Sequence, residues 1–192
     1  MSTEIRFREK AVSSVSNQIG VYALCDLDKV PIYVGQSTDG IRARVRRHLT
    51  SARSDIIANR QIDVWEIAWV LTWPVEARDE INALEAQLFH WFDKQSTLMN
   101  GTVPKAPFNL EPPRAPEQAI QLVSDEQIER RRDPIQRLPR QIEHYSQIVG
   151  HFLVVKDSSQ IQRSMRAHFQ RLAKYHASLM SQIGSDDKAG ES

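Results

Sequence analysis

The chain has 192 residues, enough for one domain with an appended region or for two small domains. It is 41% hydrophobic and 26% charged, which is ordinary for a globular protein. Its most apolar run is too short to cross a bilayer, so we expect no membrane partner. The single cysteine excludes an internal disulfide and fits the reducing conditions of the cytoplasm.

Positive charge is distributed unevenly along the chain. The formal net charge is only +1, but residues 113–185 hold 11 Lys and Arg against 7 Asp and Glu, a net charge of +4. Two basic clusters stand out, Arg42–Arg47 and Arg130–Arg132. Such clusters suit a polyanionic partner, although a basic run is more often a solvated helix face.

A proline-rich segment divides the chain. Residues 103–116 contain five of the nine prolines. Prolines at this density end helices and stay out of sheet interiors, so we predict a semi-rigid linker. It separates a first domain, residues 1–102, from a helical region, residues 117–183. The polar residues 184–192 are predicted to be a disordered tail.

The first domain is predicted to be α+β. Two strands rich in Val, Ile and Tyr, Ile19–Asp26 and Pro31–Gly35, form a hairpin around a short turn. A helix, a strand of period two carrying three tryptophans on one face, and a helix with an apolar stripe follow, over Asp39–Ala52, Asp63–Trp73 and Val75–Lys94. The order β-β-α-β-α indicates a small, mostly antiparallel three-stranded sheet flanked by helices.

Beyond the linker the pattern is entirely helical. Helices are predicted over Glu117–Arg132, which Pro134 stops, and over Arg140–Val155 and Ser158–Ile183. The last has apolar residues at every third or fourth position, among them Ile161, Met165, Phe169, Leu172, Leu179 and Ile183. This stripe packs either within the chain or against a second copy in a homodimer. A chain cut after Asn109 is expected to remain a folded monomer.

Two tyrosines are predicted to meet on the hairpin. An even-numbered loop centred between Leu27 and Asp28 would set Tyr22 directly opposite Tyr33, with their Cβ atoms about 5 Å apart. Two phenols on one face are usually ordinary core or surface residues, so the pair alone indicates little.

The helices that follow carry polar residues in unusual surroundings. Arg44 and His48 lie four residues apart and therefore on one face, within a run of four arginines and a histidine that suits a phosphate-facing surface. Glu85 lies among apolar residues of the next helix, so it is either at the solvent edge or held inward for a purpose such as metal binding. Asn100-Gly101 is also a common turn dipeptide.

Together these features resemble the GIY-YIG nuclease superfamily over about residues 19–101. Gly20-Val21-Tyr22 and Tyr33-Val34-Gly35 are similar to the two motifs that name the superfamily, each with a conservative change at its centre. Its helical arginine and histidine match Arg44 and His48, with Arg42 as the alternative arginine. Its metal-binding glutamate matches Glu85, and its later asparagine matches Asn100.

The resemblance implies a DNA endonuclease that hydrolyses phosphodiester bonds with a divalent cation, Mg²⁺ or Mn²⁺, held by Glu85. Arg44 would stabilise charge on the phosphate. Tyr22 would act as general base, with Tyr33 assisting and His48 relaying or orienting a proton. Because a free tyrosine has a pKa of about 10, Tyr22 needs either a lowered pKa or a group that takes its proton onward.

Several roles fit such an enzyme. A stand-alone nuclease of restriction, phage defence or a mobile element, associated with the nucleoid when it acts, is the first. A structure-specific or single-strand nuclease in repair or recombination is the second. A DNA-binding module with a lapsed active site is the third, and the complete set of residues disfavours it. The arginines predicted to contact DNA phosphates are Arg42, Arg46, Arg47, Arg130, Arg131 and Arg132.

Overall fold

The computed structural model describes residues 3–50, 61–154 and 159–190, and its architecture is α+β, as predicted. In chain order the elements are α1 (Thr3–Ser13), β1 (Gly20–Cys25), β2 (Pro31–Ser37), α2 (Ile41–Thr50), β3 (Trp69–Pro74), α3 (Glu80–Gln95), β4 (Gln118–Gln121), α4 (Asp125–Arg132), α5 (Pro134–Val154) and α6 (Ser159–Gly190). None of the helices in these ranges is long and apolar enough to span a bilayer.

The sheet has four antiparallel strands in the order β2-β1-β3-β4. All six residues of the central strand β1 are buried. Alternation along the strand sends Tyr22 and Leu24 into a core shared with α1 and α2, while Val21 and Ala23 enter a second core shared with α3. Because both faces of β1 are covered, the backbone that carries Tyr22 is held in place by packing on both sides.

The hairpin of β1 and β2 has a different register from the predicted one. Tyr22 pairs with Gly35, and Tyr33 pairs with Leu24. The predicted direct pairing of Tyr22 with Tyr33 is therefore wrong by two residues. Because side chains alternate with a period of two, this shift keeps both tyrosines on one face as diagonal neighbours.

The turn explains the difference. It closes around the carboxylate of Asp26, whose Oδ1 accepts hydrogen bonds from the backbone N–H groups of Asp28 (3.0 Å) and Val30 (2.8 Å). Lys29 adopts a φ of 61°, and the pairing of β1 with β2 has a register shift between Leu24 and Cys25. A side chain that bonds to its own backbone in this way sets the turn length, which a count of loop residues cannot predict.

The third strand is shorter than predicted. It was expected over Asp63–Trp73, but β3 begins only at Trp69, and the preceding residues form turns. The Asp63 carboxylate accepts the N–H of Trp65 (3.1 Å), and the N–H of Glu66 donates to the Asp63 carbonyl (3.0 Å). Asp63 and Glu66 both point to the C-terminal helices, so the mixture of polar and apolar residues in this segment does not indicate a strand.

A fourth strand replaces the predicted start of a helix. Gln118–Gln121 pairs with β3, so the helix expected from Glu117 begins only at Asp125. Without β4 the outer backbone groups of β3 would be unpaired. The proline-rich segment contacts the first domain at two points. His90 Nε2 lies 2.9 Å from the carbonyl of Pro104, and Trp73 Nε1 donates to the carbonyl of Arg114 (2.8 Å). It therefore connects two parts of one sheet and not two separate domains.

Other boundaries differ by a few residues. α2 begins two residues later than predicted, α3 five residues later and α5 six residues earlier, at a proline that suits a first helical position. α1 is not predicted at all, because only Val12 of this helix is buried and its sequence has no apolar stripe. α6 continues to Gly190, so most of the segment predicted as a disordered tail is helical. The predicted boundaries at Ala52, Val155 and Ser158, and residues 191–192 of the tail, lie outside the described residues.

Buried ion pairs join the C-terminal helices to the sheet. Arg137 on α5 donates through Nε to Glu66 Oε1 (2.9 Å) and through Nη1 to Asp28 (2.7 Å). Arg171 on α6 donates to Asp26 Oδ2 (2.7 Å), and the Tyr175 hydroxyl donates to Glu66 (3.1 Å). Burial raises the pKa of Glu66 to about 7, although the charge of Arg137 lowers it. Asp26 and Glu66 are withdrawn from solvent, so each depends on the helices for its partner, whereas Asp28 stays partly exposed.

The inner face of α6 is not the predicted apolar stripe. Its buried positions include Ile161, Ala167, Arg171 and Tyr175, whereas Phe169 is 58% exposed. The polar members of this face meet the carboxylates described above. The apolar stripe therefore does not coincide with the buried face of α6, because Arg171 and Tyr175 on that face bond to Asp26 and Glu66.

A chain that ends at Asn109 is now expected not to fold, contrary to the expectation from sequence. It loses β4, and it removes Leu122, Ile128 and Ala167 from the larger core. Burying each such side chain contributes about 1–3 kcal/mol. Thermal unfolding followed by circular dichroism tests this. A chain that ends at Ile183 keeps these contacts and should retain the full-length transition, and a cooperative native-like transition in the shorter chain would contradict the argument.

Candidate active site

Five of the predicted site residues converge around Tyr22. Its hydroxyl lies 2.6 Å from Nε2 of His48, and both residues are fully buried. The ring centroids of Tyr22, Tyr33 and His48 are 5.7–6.4 Å apart, a normal spacing for packed aromatic rings. The Arg44 side chain forms a hydrogen bond with Tyr22, and Glu85 is close enough for its charge to act on the same phenol.

The space for the Tyr22 hydroxyl is provided by Gly35. A Cβ atom at this position would lie 2.5 Å from the hydroxyl oxygen and 2.8 Å from Cε1 of Tyr33. Any larger residue would therefore push the two rings apart. Gly35 of the Tyr33-Val34-Gly35 motif thus leaves the space that Tyr22 of the Gly20-Val21-Tyr22 motif occupies.

The surroundings keep Tyr22 protonated. Burial raises the pKa of Tyr22 well above its ordinary value, and Tyr33 and Glu85 raise it further, while the charge and hydrogen bond of Arg44 lower it. A lowered pKa, one of the two routes left open by the sequence, is therefore not what the free protein provides. The ring nitrogen of His48 in direct contact favours the other route, in which the phenol passes its proton onward.

The site arginine is Arg44 rather than Arg42. Nε of Arg42 donates to the carbonyl of Val15 (2.7 Å), which fixes α2 to the loop after α1. Arg44, two residues on, reaches Tyr22. Arg46 and Arg47 are exposed on the same helix.

Glu85 is half-buried and held by a residue that the sequence analysis does not single out. Nε2 of Gln36 donates to Glu85 Oε2 (3.0 Å) and to Asn82 Oδ1 (3.2 Å). Burial raises the pKa of Glu85, and the bond from Gln36 opposes this. Gln36 could have been found from its place directly after Gly35. Because side chains alternate along β2, Gln36 lies on the face opposite to Tyr33.

A divalent cation fits this donor set. In the described part of the chain no group of three or more His, Cys, Asp and Glu side chains could hold a metal. A hard cation such as Mg²⁺ usually needs only one or two carboxylates and takes its remaining ligands from water and substrate phosphate. Glu85, partly desolvated and flanked by amides, is such a carboxylate.

Asn100 has a structural position. Its Oδ1 accepts the N–H of Val34 (3.0 Å) and its Nδ2 donates to the carbonyl of Val34 (2.6 Å), while Met99 N–H donates to Ile32 (2.7 Å). These bonds complete the outer edge of β2 and hold the backbone between Tyr33 and Gly35. The catalytic role of Asn100 stays a prediction, and these contacts support a positioning role.

The C-terminal basic cluster is mostly occupied within the chain. Arg131 is buried and donates to the carbonyl of Trp65 (2.9 Å), so it does not lie on the exposed surface that a duplex backbone would contact. Arg132 donates to the carbonyl of Leu27 (3.0 Å), and Arg130 forms an exposed ion pair with Glu4 (3.2 Å). Through these side chains helix α4 docks on the hairpin turn, the turn before β3 and α1, which the sequence shows only as a basic run.

Residues 18–100 match the family model of the GIY-YIG catalytic domain. These residues form a GIY-YIG catalytic domain. The match runs from just before β1 to Asn100 and includes the two tyrosines, Arg44, His48 and Glu85. A GIY-YIG catalytic domain indicates a DNA endonuclease, a phosphodiester hydrolase, and GIY-YIG nucleases generally depend on a divalent metal. A comparison with curated proteins finds no match to the chain.

Tyr22→Phe should slow cleavage by about a hundredfold or more, as expected when a general base is removed. It should also lower the free energy of unfolding by about 1–2 kcal/mol, because the buried bond to His48 is lost. Single-turnover rates and thermal melts measure the two effects. Tyr33→Phe is the comparison and should lose less activity. Wild-type rates in both variants would mean that the tyrosines only fill the core.

Asn100→Ala should destabilise the GIY-YIG domain without acting on the chemistry. Losing both bonds to Val34 should cost about 2–3 kcal/mol, seen as a lower melting temperature. Where the variant is still folded, we expect cleavage within about tenfold of wild type, a change of about 1.4 kcal/mol in the barrier. The exposed Asn109→Ala is the matched control. A much larger rate loss with an unchanged melting temperature would instead make Asn100 a catalytic residue.

Proposed function

We propose that this protein is a metal-dependent, stand-alone DNA endonuclease of restriction, phage defence or a mobile element. The observation that carries the proposal is the Tyr22–His48 hydrogen bond, with Arg44 and Glu85 beside it on a GIY-YIG catalytic domain. The helices after the domain dock onto it, which supports one compact unit that selects its own substrate. Since its substrate is DNA, the enzyme acts inside the cell, at the nucleoid when it cuts.

The chain's own residues supply the proton transfers. As the attacking water forms a bond to phosphorus, it gives a proton to the Tyr22 oxygen, and Tyr22 releases its own proton to Nε2 of His48. The bond from phosphorus to the leaving oxygen breaks, and that oxygen takes a proton from solvent. A raised pKa does not obstruct this route, because the phenol never has to exist as a free phenolate. The neutral ring of His48 is the acceptor, and it later returns the proton to solvent.

Charge on the phosphate is met from two sides. The guanidinium of Arg44, already bonded to Tyr22, donates to a non-bridging oxygen as negative charge builds up. A divalent cation, Mg²⁺ or Mn²⁺, would be held by Glu85 and would supply Lewis-acid stabilisation of the same charge. Gln36 keeps the Glu85 carboxylate in its orientation. Arg47, exposed on α2 three residues from Arg44, is placed to contact a neighbouring phosphate.

One site cuts one strand, so a double-strand break needs two copies or two successive nicks. The homodimer predicted from the sequence uses the α6 stripe, in which Ile161 packs within the chain whereas Phe169 and Ile183 are exposed. A dimer through the exposed part would supply two sites, and a monomer would make successive nicks. Light scattering with and without DNA distinguishes the two.

Glu85→Gln should abolish cleavage and leave DNA binding largely intact. An amide is similar in shape to the carboxylate but is a much poorer ligand for a hard cation. The assay compares supercoiled plasmid, linear duplex, branched and single-stranded DNA with and without Mg²⁺, together with gel-shift binding. The exposed Glu76→Gln serves as the control and should cut at the wild-type rate.

Each outcome of this assay has a distinct meaning. Discrete fragments from duplex support the restriction-type role, whereas preference for branched or single-stranded DNA supports a structure-specific nuclease. Full activity of Glu85→Gln in Mg²⁺ would refute the metal assignment. Binding by the wild-type protein without cleavage of any substrate would indicate a module whose active site has lapsed.

A further inference from the structure

A cavity of about 750 Å³ lies between α1, α2 and α4, away from the tyrosines. Its walls are largely apolar and include Val12, Leu49 and Leu122. Helix α2 separates it from the active site, because Arg44 and His48 meet Tyr22 whereas Arg46 and Leu49 line the cavity. This size lies in the range of small-molecule sites, which span about 300–1,000 Å³.

Three guanidinium groups line the cavity, those of Arg8, Arg46 and Arg131. Two carboxylates also line it, Glu4 and Glu9, but Glu4 forms ion pairs with both Arg131 (3.4 Å) and Arg130 (3.2 Å). Positive charge on the wall is therefore only partly balanced.

Arg131 is the most constrained of these groups. It is 7% exposed, and its Nε has no hydrogen-bond acceptor among the described residues, although Nη1 and Nη2 have partners. A buried N–H without an acceptor costs about 1–3 kcal/mol, so the Arg131 guanidinium is held at this wall at an energetic cost. Burial lowers the pKa of Arg8, and the charge of Arg131 lowers it further, which means that the two cations repel each other.

Helix α4 begins at the same wall. Its N-cap residue Ser124 has an extended backbone, and its hydroxyl makes no capping hydrogen bond. The first N–H groups of a helix and its dipole favour an anion, although Asp125 and Glu126 in the first turn offset part of that charge.

We propose that this cavity binds a nucleoside monophosphate, with the phosphate at Arg8 and Arg131 and the base and sugar against the apolar wall. The three cations call for an anion, and the apolar wall and the volume call for an organic body larger than phosphate. The choice of a nucleotide among such anions rests on the proposed DNA endonuclease function. The nucleotide is either free or the 5′-terminal residue of a DNA strand.

Isothermal titration of the full-length protein with deoxyadenosine 5′-monophosphate, without Mg²⁺, tests the proposal. We expect one site per chain, with weaker binding of inorganic phosphate and of deoxyadenosine. Arg8→Gln should weaken binding by about tenfold or more, since a hydrogen bond to a charged group is lost. The matched variant Arg6→Gln, on the exposed part of the same helix, should bind like wild type.

Competition separates the two sources of the nucleotide. Displacement by an oligonucleotide with a 5′-phosphate, but not by the same oligonucleotide without it, identifies a strand end, and displacement by neither identifies free nucleotide. No binding at millimolar nucleotide, equal losses in both arginine variants, or equal affinity for inorganic phosphate would overturn the proposal. Because binding is measured without cleavage, its result is independent of whether the protein cuts DNA.

Discussion

The carboxylate of Asp26 connects the two parts of the molecule. One oxygen closes the hairpin turn by accepting from Asp28 and Val30, and the other accepts from Arg171 on α6. The turn sets the register of β1 and β2, and that register places Tyr22 beside Gly35. The position of Tyr22 and the docking of the C-terminal helices thus depend on one buried side chain, which is too costly to leave without its cation.

Burial on this scale determines what the active site can do. A phenol inside the sheet resists ionisation, so it contributes to catalysis only with a proton acceptor already in contact. His48 meets that condition because α2 crosses the same face of β1, where Tyr33 packs against both rings. Asn100 acts at the other side of β2, where its two hydrogen bonds keep the strand edge from fraying. The residue that contacts the Tyr22 hydroxyl, His48, is therefore different from the residue that holds the edge of β2, Asn100.

Local spacing was sufficient to predict much of the site. Arg44 and His48 share a helix face at a separation of four, and Glu85 stands out among apolar neighbours, so both features are visible in short windows. The α+β class followed from periodicity in the same way. The register, β4 and the true start of β3 depend on partners far away in the chain, such as Arg137 for Glu66. A carboxylate that alternates with apolar residues looks like a strand until the distant cation is known.

The charge asymmetry has the same origin. The basic excess after residue 112 indicated DNA affinity. Four of these arginines instead bind carbonyls and carboxylates of the first domain, namely Arg131, Arg137, Arg140 and Arg171. A slightly acidic domain and a basic appendage are thus complementary to each other before either meets a partner. Cations that face a phosphate backbone must then come from surfaces not used for docking, and the exposed side of α2 next to Arg44 is such a surface. Salt dependence of DNA binding should accordingly reflect Arg47 more than the C-terminal helices.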